Sequence, residues 1–153
     1  MGQPSEEQIS FLARGVVGSM LAVSQVRKSV LGDVWEAESA EMVVRSFANT
    51  YEEGTVQRTI LDRALESWPS MLEMLVYDGD VPDSLAEVMF GVTAAGDALG
   101  PEDTSDYLFI VRNVAYATAG AAAEDGVLET GGDHFSDDER QVLDDIDAIC
   151  GPA

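Results

Sequence analysis

The sequence predicts an all-α fold: a single-domain bundle, residues 1–153, of about six to seven helices with a central apolar helix near 106–123. Three observations carry this. Apolar residues recur every three or four positions along most of the chain, which places them on one face of a 3.6-residue helix. Helix-start signals of the form S-x-x-E/Q recur at Ser5–Gln8, Ser84–Glu87 and Ser136–Glu139. No strand-like alternation of useful length interrupts them.

The first helix opens at the Ser5–Gln8 capping box, in which hydroxyl and amide side chains satisfy free N–H groups. Its apolar face holds Ile9, Leu12, Val16, Met20 and Val23, and the helix is expected to reach about Val30 before Gly32. Asp33 caps a second helix through about Asn49, with Glu36 three residues on and Val34, Ala37, Ala40, Val43, Val44 and Phe47 inward. Gly54 breaks the pattern, and Thr55 begins a third helix with Ile60, Leu61, Ala64 and Leu65 on its apolar face. Pro69 is expected to end that helix, or to begin a short one over Met71–Tyr77.

Residues 78–83 (Asp-Gly-Asp-Val-Pro-Asp) have turn composition. Ser84 then caps a helix to about Leu99, carrying Leu85, Val88, Met89, Val92 and Ala95. Gly100-Pro101 closes it. Thr104 or Ser105 caps the next helix, Asp106–Ala123, whose Ala115, Ala119 and Ala122 form a small-residue stripe. A helix apolar on most sides belongs at the centre of a bundle. The last helix opens at Ser136-Asp137-Asp138-Glu139, buries Val142, Leu143, Ile146 and Ile149, and stops at Gly151-Pro152.

The charge is large, one-sided and unevenly placed. Twenty-nine Asp and Glu oppose eight Lys and Arg, for a formal net charge of −21. Residues 1–77 hold 11 acids and 6 bases, whereas 78–153 hold 18 acids and only Arg112 and Arg140. Such a field favours cations, basic partners or very salty solvent, and it repels nucleic acid and anionic membranes. The hydrophobic fraction of 46% is ordinary for a folded protein and argues against an acidic disordered tail. Seven of the eight bases are Arg, a bias that both salt adaptation and a high-GC genome produce.

Several chemistries lack their residues. The single Cys150 supports neither an intrachain disulfide nor a multi-Cys zinc site. His134 is the only histidine and sits in a Gly-rich connection, so a di-iron bundle, which needs two E-x-x-H motifs, is excluded. No G-x-S-x-G, P-loop or H-E-x-x-H motif occurs. The expectation is a protein that is not an enzyme. Phe11–Val26 and Tyr107–Ala123 are too short or too interrupted by charge to span a membrane. No signal peptide is recognisable, and the cytoplasm is the expected location.

The segment Glu124–Glu139 gathers Glu124, Asp125, Glu129, Asp133, Asp137, Asp138 and Glu139 around three glycines. Carboxylates on a connection between helices suit a hard cation such as Ca²⁺ or Mg²⁺. The spacing matches no EF-hand register, and a solvated connector followed by a helix cap explains the same residues. A weaker group, Asp78, Asp80 and Asp83, reads mainly as a turn.

Residues 115–151, AYATAGAAAEDGVLETGGDHFSDDERQVLDDIDAICG, resemble the C-terminal signature of TerB-like tellurite-resistance proteins. The likeness rests on an Ala-rich helix running into Asp125-Gly126, then Phe135-Ser136-Asp137-Asp138-Glu139 and a closing amphipathic helix. Gly32-Asp33-Val34 before Glu36, Glu38 and Glu41 is a faint echo in the first half, with Asp-Gly reversed. The connection from Gly126 to Ser136 is longer than the family's. The resemblance implies a cytoplasmic helical module that binds a divalent cation and acts in stress-related complexes through protein contacts. It also implies Asp125, Asp137, Asp138 and Glu139 as the metal ligands. Two other readings suit the composition: an acidic decoy that imitates DNA toward a basic DNA-binding protein, and a salt-adapted helical domain. All three exclude direct nucleic-acid binding, and the first two expect a basic protein partner.

Overall fold

The computed structural model describes residues 4–27, 41–77, 81–126 and 137–151, with backbone alone at 24–27, 71–77, 81, 120–126 and 137–139. The described residues form helices and no strand, as the apolar spacing predicts. They are α1 (Glu6–Arg27), α2 (41–50), α3 (Val56–Tyr77), α4 (Val81–Ala98), α5 (Pro101–Gly126) and α6 (Asp137–Cys150). The expected start of the second helix at Asp33, the stop at Gly32 and the cap at Ser136 lie outside the described residues.

Local chemistry sets the first helix end. The Ser5 amide donates to Gln8 Oε1 at 2.8 Å and the Gln8 amide donates to Ser5 Oγ at 3.1 Å, a closed capping box. From Leu12 to Val23, α1 is buried at every position except Arg14, and it packs against α3, α4, α5 and α6. The most enclosed helix is therefore α1. The predicted central helix, α5, buries Tyr107, Ile110, Val111, Val114, Ala115, Thr118 and Ala119 along one face, but Phe109 and Tyr116 emerge on another. Small residues explain the difference. Gly15, Gly18 and Gly91 let the α1 and α4 backbones approach so closely that a Cβ on Gly18 would lie 3.0 Å from the Ser84 carbonyl oxygen.

Three predicted boundaries move. α3 runs unbroken through Pro69. A mid-helix proline costs roughly 3 kcal/mol, but Pro69 lies on the exposed face while Trp68 beside it is 2% exposed, within the core. Burying a large aromatic is worth a comparable amount, so packing holds the helix together. α4 begins at Val81, with Pro82 in the first turn where its missing N–H costs little. Ser84 is consequently a buried residue inside the helix facing α1 rather than its cap, and Met89, predicted inward, is exposed. α5 begins at Pro101, and the Thr104 hydroxyl donates backward to the carbonyls of Ala95 (3.2 Å) and Leu99 (3.4 Å). Thr104 thus closes the end of α4 instead of capping α5.

The turn from α2 to α3 uses Gly54 at φ +92, and Thr55 caps α3 as predicted, its Oγ accepting from the Arg58 amide at 3.3 Å. Arg58 reaches back to donate to the carbonyls of Ala48 and Tyr51 at the end of α2. α6 buries Val142, Leu143, Ile146 and Cys150, with Ile149 half-buried. It ends at Gly151 (φ +84), whose carbonyl accepts from Arg112 of α5.

Tyr107, 1% exposed, donates its hydroxyl to the Leu12 carbonyl at 2.7 Å. Burial drives its phenol far above the ordinary range, and burial also raises the Cys150 thiol against the opposing pull of Arg112. Both groups hold their protons in the native state at pH values where the unfolded chain loses them. Their stabilising contribution is complete below the unfolded values, about 8.5 for the thiol and 10 for the phenol, and is lost as pH rises beyond them. Stability is expected to fall by about 1.4 kcal/mol per pH unit above pH 10 from Tyr107 alone. Thermal unfolding across pH 8–11 checks this, and Tyr107→Phe should flatten the slope above pH 10.

Candidate interaction surface

By backbone position, Asp125 falls in the last turn of α5, and Asp137, Asp138 and Glu139 fall in the first turn of α6. Their side chains lie outside the described residues, as does the whole 127–136 connection with Glu129, Asp133 and His134. Asp78 and Asp80 are outside as well, while Asp83 is exposed. Among the described residues no three His, Cys, Asp or Glu side chains converge as a metal site, and no helix is long and apolar enough to cross a membrane.

Five of the described arginines are spent within the molecule. Arg63 meets Glu6 at 2.6 Å, Arg14 meets Glu87 at 2.5 Å, Arg58 meets Asp62 at 3.1 Å, Arg112 meets Asp147 at 3.4 Å and Arg45 meets Glu41 at 3.5 Å. Surface pairs of this kind add little stability. Their larger consequence is that these five cations are already matched, so they do not offset the other carboxylates among the described residues.

Among the described residues, two grooves break this acidic surface. One runs between α1 and α4, about 310 Å³ in volume, with Phe11, Phe90 and Ala94 as its apolar lining and Glu7 and Asp97 as its acids. The Phe11 and Phe90 rings sit 6.2 Å apart at 42°, and Phe90 is 55% exposed. Beside the groove, the Arg14 guanidinium carbon lies 5.7 Å from the Phe11 ring centre while the same side chain pairs with Glu87. The second Glu87 carboxylate oxygen is buried without a hydrogen-bond partner. Glu7 and Asp97, by contrast, have no ion pair among the described residues.

The other groove, about 470 Å³, lies between α2 and α5 and is lined by Val43, Phe47, Asn113 and Tyr116 among others. Phe47 meets Phe109 edge-on, with ring centres 5.9 Å apart at 88°. Tyr116 donates its hydroxyl to Asp147 Oδ2 at 3.0 Å. Partial burial raises the Tyr116 phenol, the bond to Asp147 and the nearby Asp147 and Asp144 charges raise it further, and Arg112 opposes them. Among the described residues, Met42, Met89, Phe90, Phe109 and Tyr116 are the large apolar side chains left exposed.

Sequence reasoning does not find these side chains. Apolar spacing assigns Met89 to the core, and Phe109 and Tyr116 disappear into a helix that reads as apolar all round. The available signal is Phe109, Asn113 and Tyr116 at helical spacing, a stripe with a polar residue in its middle.

The fold and surface define an acidic all-helical bundle with aromatic grooves. No family model, curated protein or solved structure matches the chain.

Proposed function

We propose that the chain is a non-enzymatic, acidic α-helical interaction module, TerB-like in character, that docks a basic protein partner. The observation that carries this is the pairing of exposed aromatic and Met side chains with an acidic surface on which five of the described arginines are internally matched. Aromatic and Met residues concentrate at protein interfaces, where burying them supplies affinity. The carboxylates steer oppositely charged partners and discourage like-charged ones. Partner capture on the immobilised chain at physiological ionic strength tests the reading. Basic proteins should be enriched, and a Phe90→Ser/Phe109→Ser double variant should lose them. Retention that ignores both partner charge and these substitutions refutes it. Release of the captured partner by competing DNA would favour the decoy reading instead.

The resemblance over residues 115–151 supports a second element, in which Asp125, Asp137, Asp138 and Glu139 ligate Ca²⁺ or Mg²⁺ with oxygen donors. These residues stand at the ends of two successive helices on either side of one connection. Calcium titration followed by NMR should shift the amides of 124–139 between micromolar and millimolar concentrations, and an unresponsive spectrum removes the metal role.

A further inference from the structure

We infer that the α1–α4 groove receives an arginine-bearing segment of the partner, with the guanidinium lying over Phe90 and between the carboxylates of Glu7 and Asp97. The inference rests on the proposed partner-docking role and gives it a location and a chemistry. The protein already contains the finished arrangement next door. There, Arg14 is held over Phe11 at 5.7 Å and closed by the Glu87 carboxylate at 2.5 Å. The groove offers the same components without their cation: an exposed phenyl ring and two acids that pair with nothing among the described residues.

Helical spacing brings these groups together. Glu7 and Phe11 are one turn apart on α1, and Phe90, Thr93, Ala94 and Asp97 form an i, i+3, i+4, i+7 stripe on α4. Both stripes line the same 310 Å³ space, and no basic side chain lines it. A planar, weakly hydrated guanidinium stacks on an aromatic face and pairs with a carboxylate at once, which a compact ammonium does less well. The acids disfavour a phosphate or an anionic lipid in the same place.

The test uses the full chain and a synthetic amphipathic helical peptide of Leu and Arg, with Leu–Lys and Leu–Glu versions, read by calorimetry and amide NMR. The Leu–Arg peptide should bind most tightly and shift the amides of Gln8, Thr93 and Ala94. Phe90→Ser should weaken it by about tenfold, with a smaller loss for Asp97→Asn or Glu7→Gln. All three side chains are exposed at least in part, and an unchanged circular dichroism spectrum verifies the fold. Leu–Arg binding that these variants leave intact, or shifts confined to other residues, overturns the groove assignment while the docking role stands. Equal affinity for Leu–Arg and Leu–Lys overturns the guanidinium preference. Failure of every basic peptide to bind overturns both the groove and the docking role.

Discussion

Gly91→Ala is expected to destabilise the protein by about 2–3 kcal/mol, although alanine is the better helix former by about 1 kcal/mol. A Cβ at position 91 would lie 2.3 Å from the Tyr107 hydroxyl, 2.8 Å from Gly15 Cα and 3.2 Å from the Phe11 carbonyl oxygen. Two of these three obstacles are backbone atoms of α1, so the two helices must separate. Separation also disturbs the Tyr107 hydroxyl, which bonds the Leu12 carbonyl at 2.7 Å. Gly96, on the same helix, is the internal control, because an added Cβ there meets nothing within 4 Å. Gly96→Ala should therefore stabilise by about 0.5–1 kcal/mol. Urea denaturation of both variants decides the matter. A neutral or stabilising Gly91→Ala would mean that the α1–α4 contact is looser than described. In a Tyr107→Phe background the Gly91→Ala penalty should shrink, because the nearest obstacle is gone, but it should not vanish while Gly15 remains.

Trp68→Ala is expected to cost about 3–5 kcal/mol, the range for deleting a fully buried large aromatic. The site has a second consequence, because Pro69 follows directly and α3 continues through it. If packing of Trp68 is what holds α3 continuous, its loss should also reduce helicity beyond the mutated residue. Pro69→Ala should act in the opposite direction, restoring a helical N–H and removing the clash with residue 65, for a gain of up to about 3 kcal/mol. Circular dichroism and denaturation of the two single variants and the double variant separate these effects. Stabilisation absent from Pro69→Ala would show that the helix was already bent to suit the proline.

Features fixed within one turn of chain are legible in the amino-acid order itself. The Ser5–Gln8 capping box, the Thr55 start of α3 and the buried face of α6 all appear where spacing places them. Ser84 and Thr104 have equally good local credentials as caps, yet one is buried against α1 and the other serves the preceding helix. Their hydroxyls and backbones answer to neighbours that spacing cannot reveal. The acid excess around the candidate grooves can be read directly, but the grooves cannot. Glu7 and Phe11 meet Phe90 and Asp97 across some eighty residues of chain, and that juxtaposition exists only once α1 and α4 have crossed.

Taken alone, the sequence determines the helical class, most of the inward faces and the strong negative field, because periodicity, capping and charge are local or additive properties. Tertiary structure decided the rest. It put α1 rather than α5 in the most enclosed place, carried α3 through a proline, and turned Met89 and Phe90 outward. The reasons differ: core packing of Trp68 carries α3 through Pro69, whereas the seating of α1 against α4 follows from the closest backbone approach the small residues allow. Here that approach is set by Gly15, Gly18 and Gly91, three residues with no hydrophobic signal of their own.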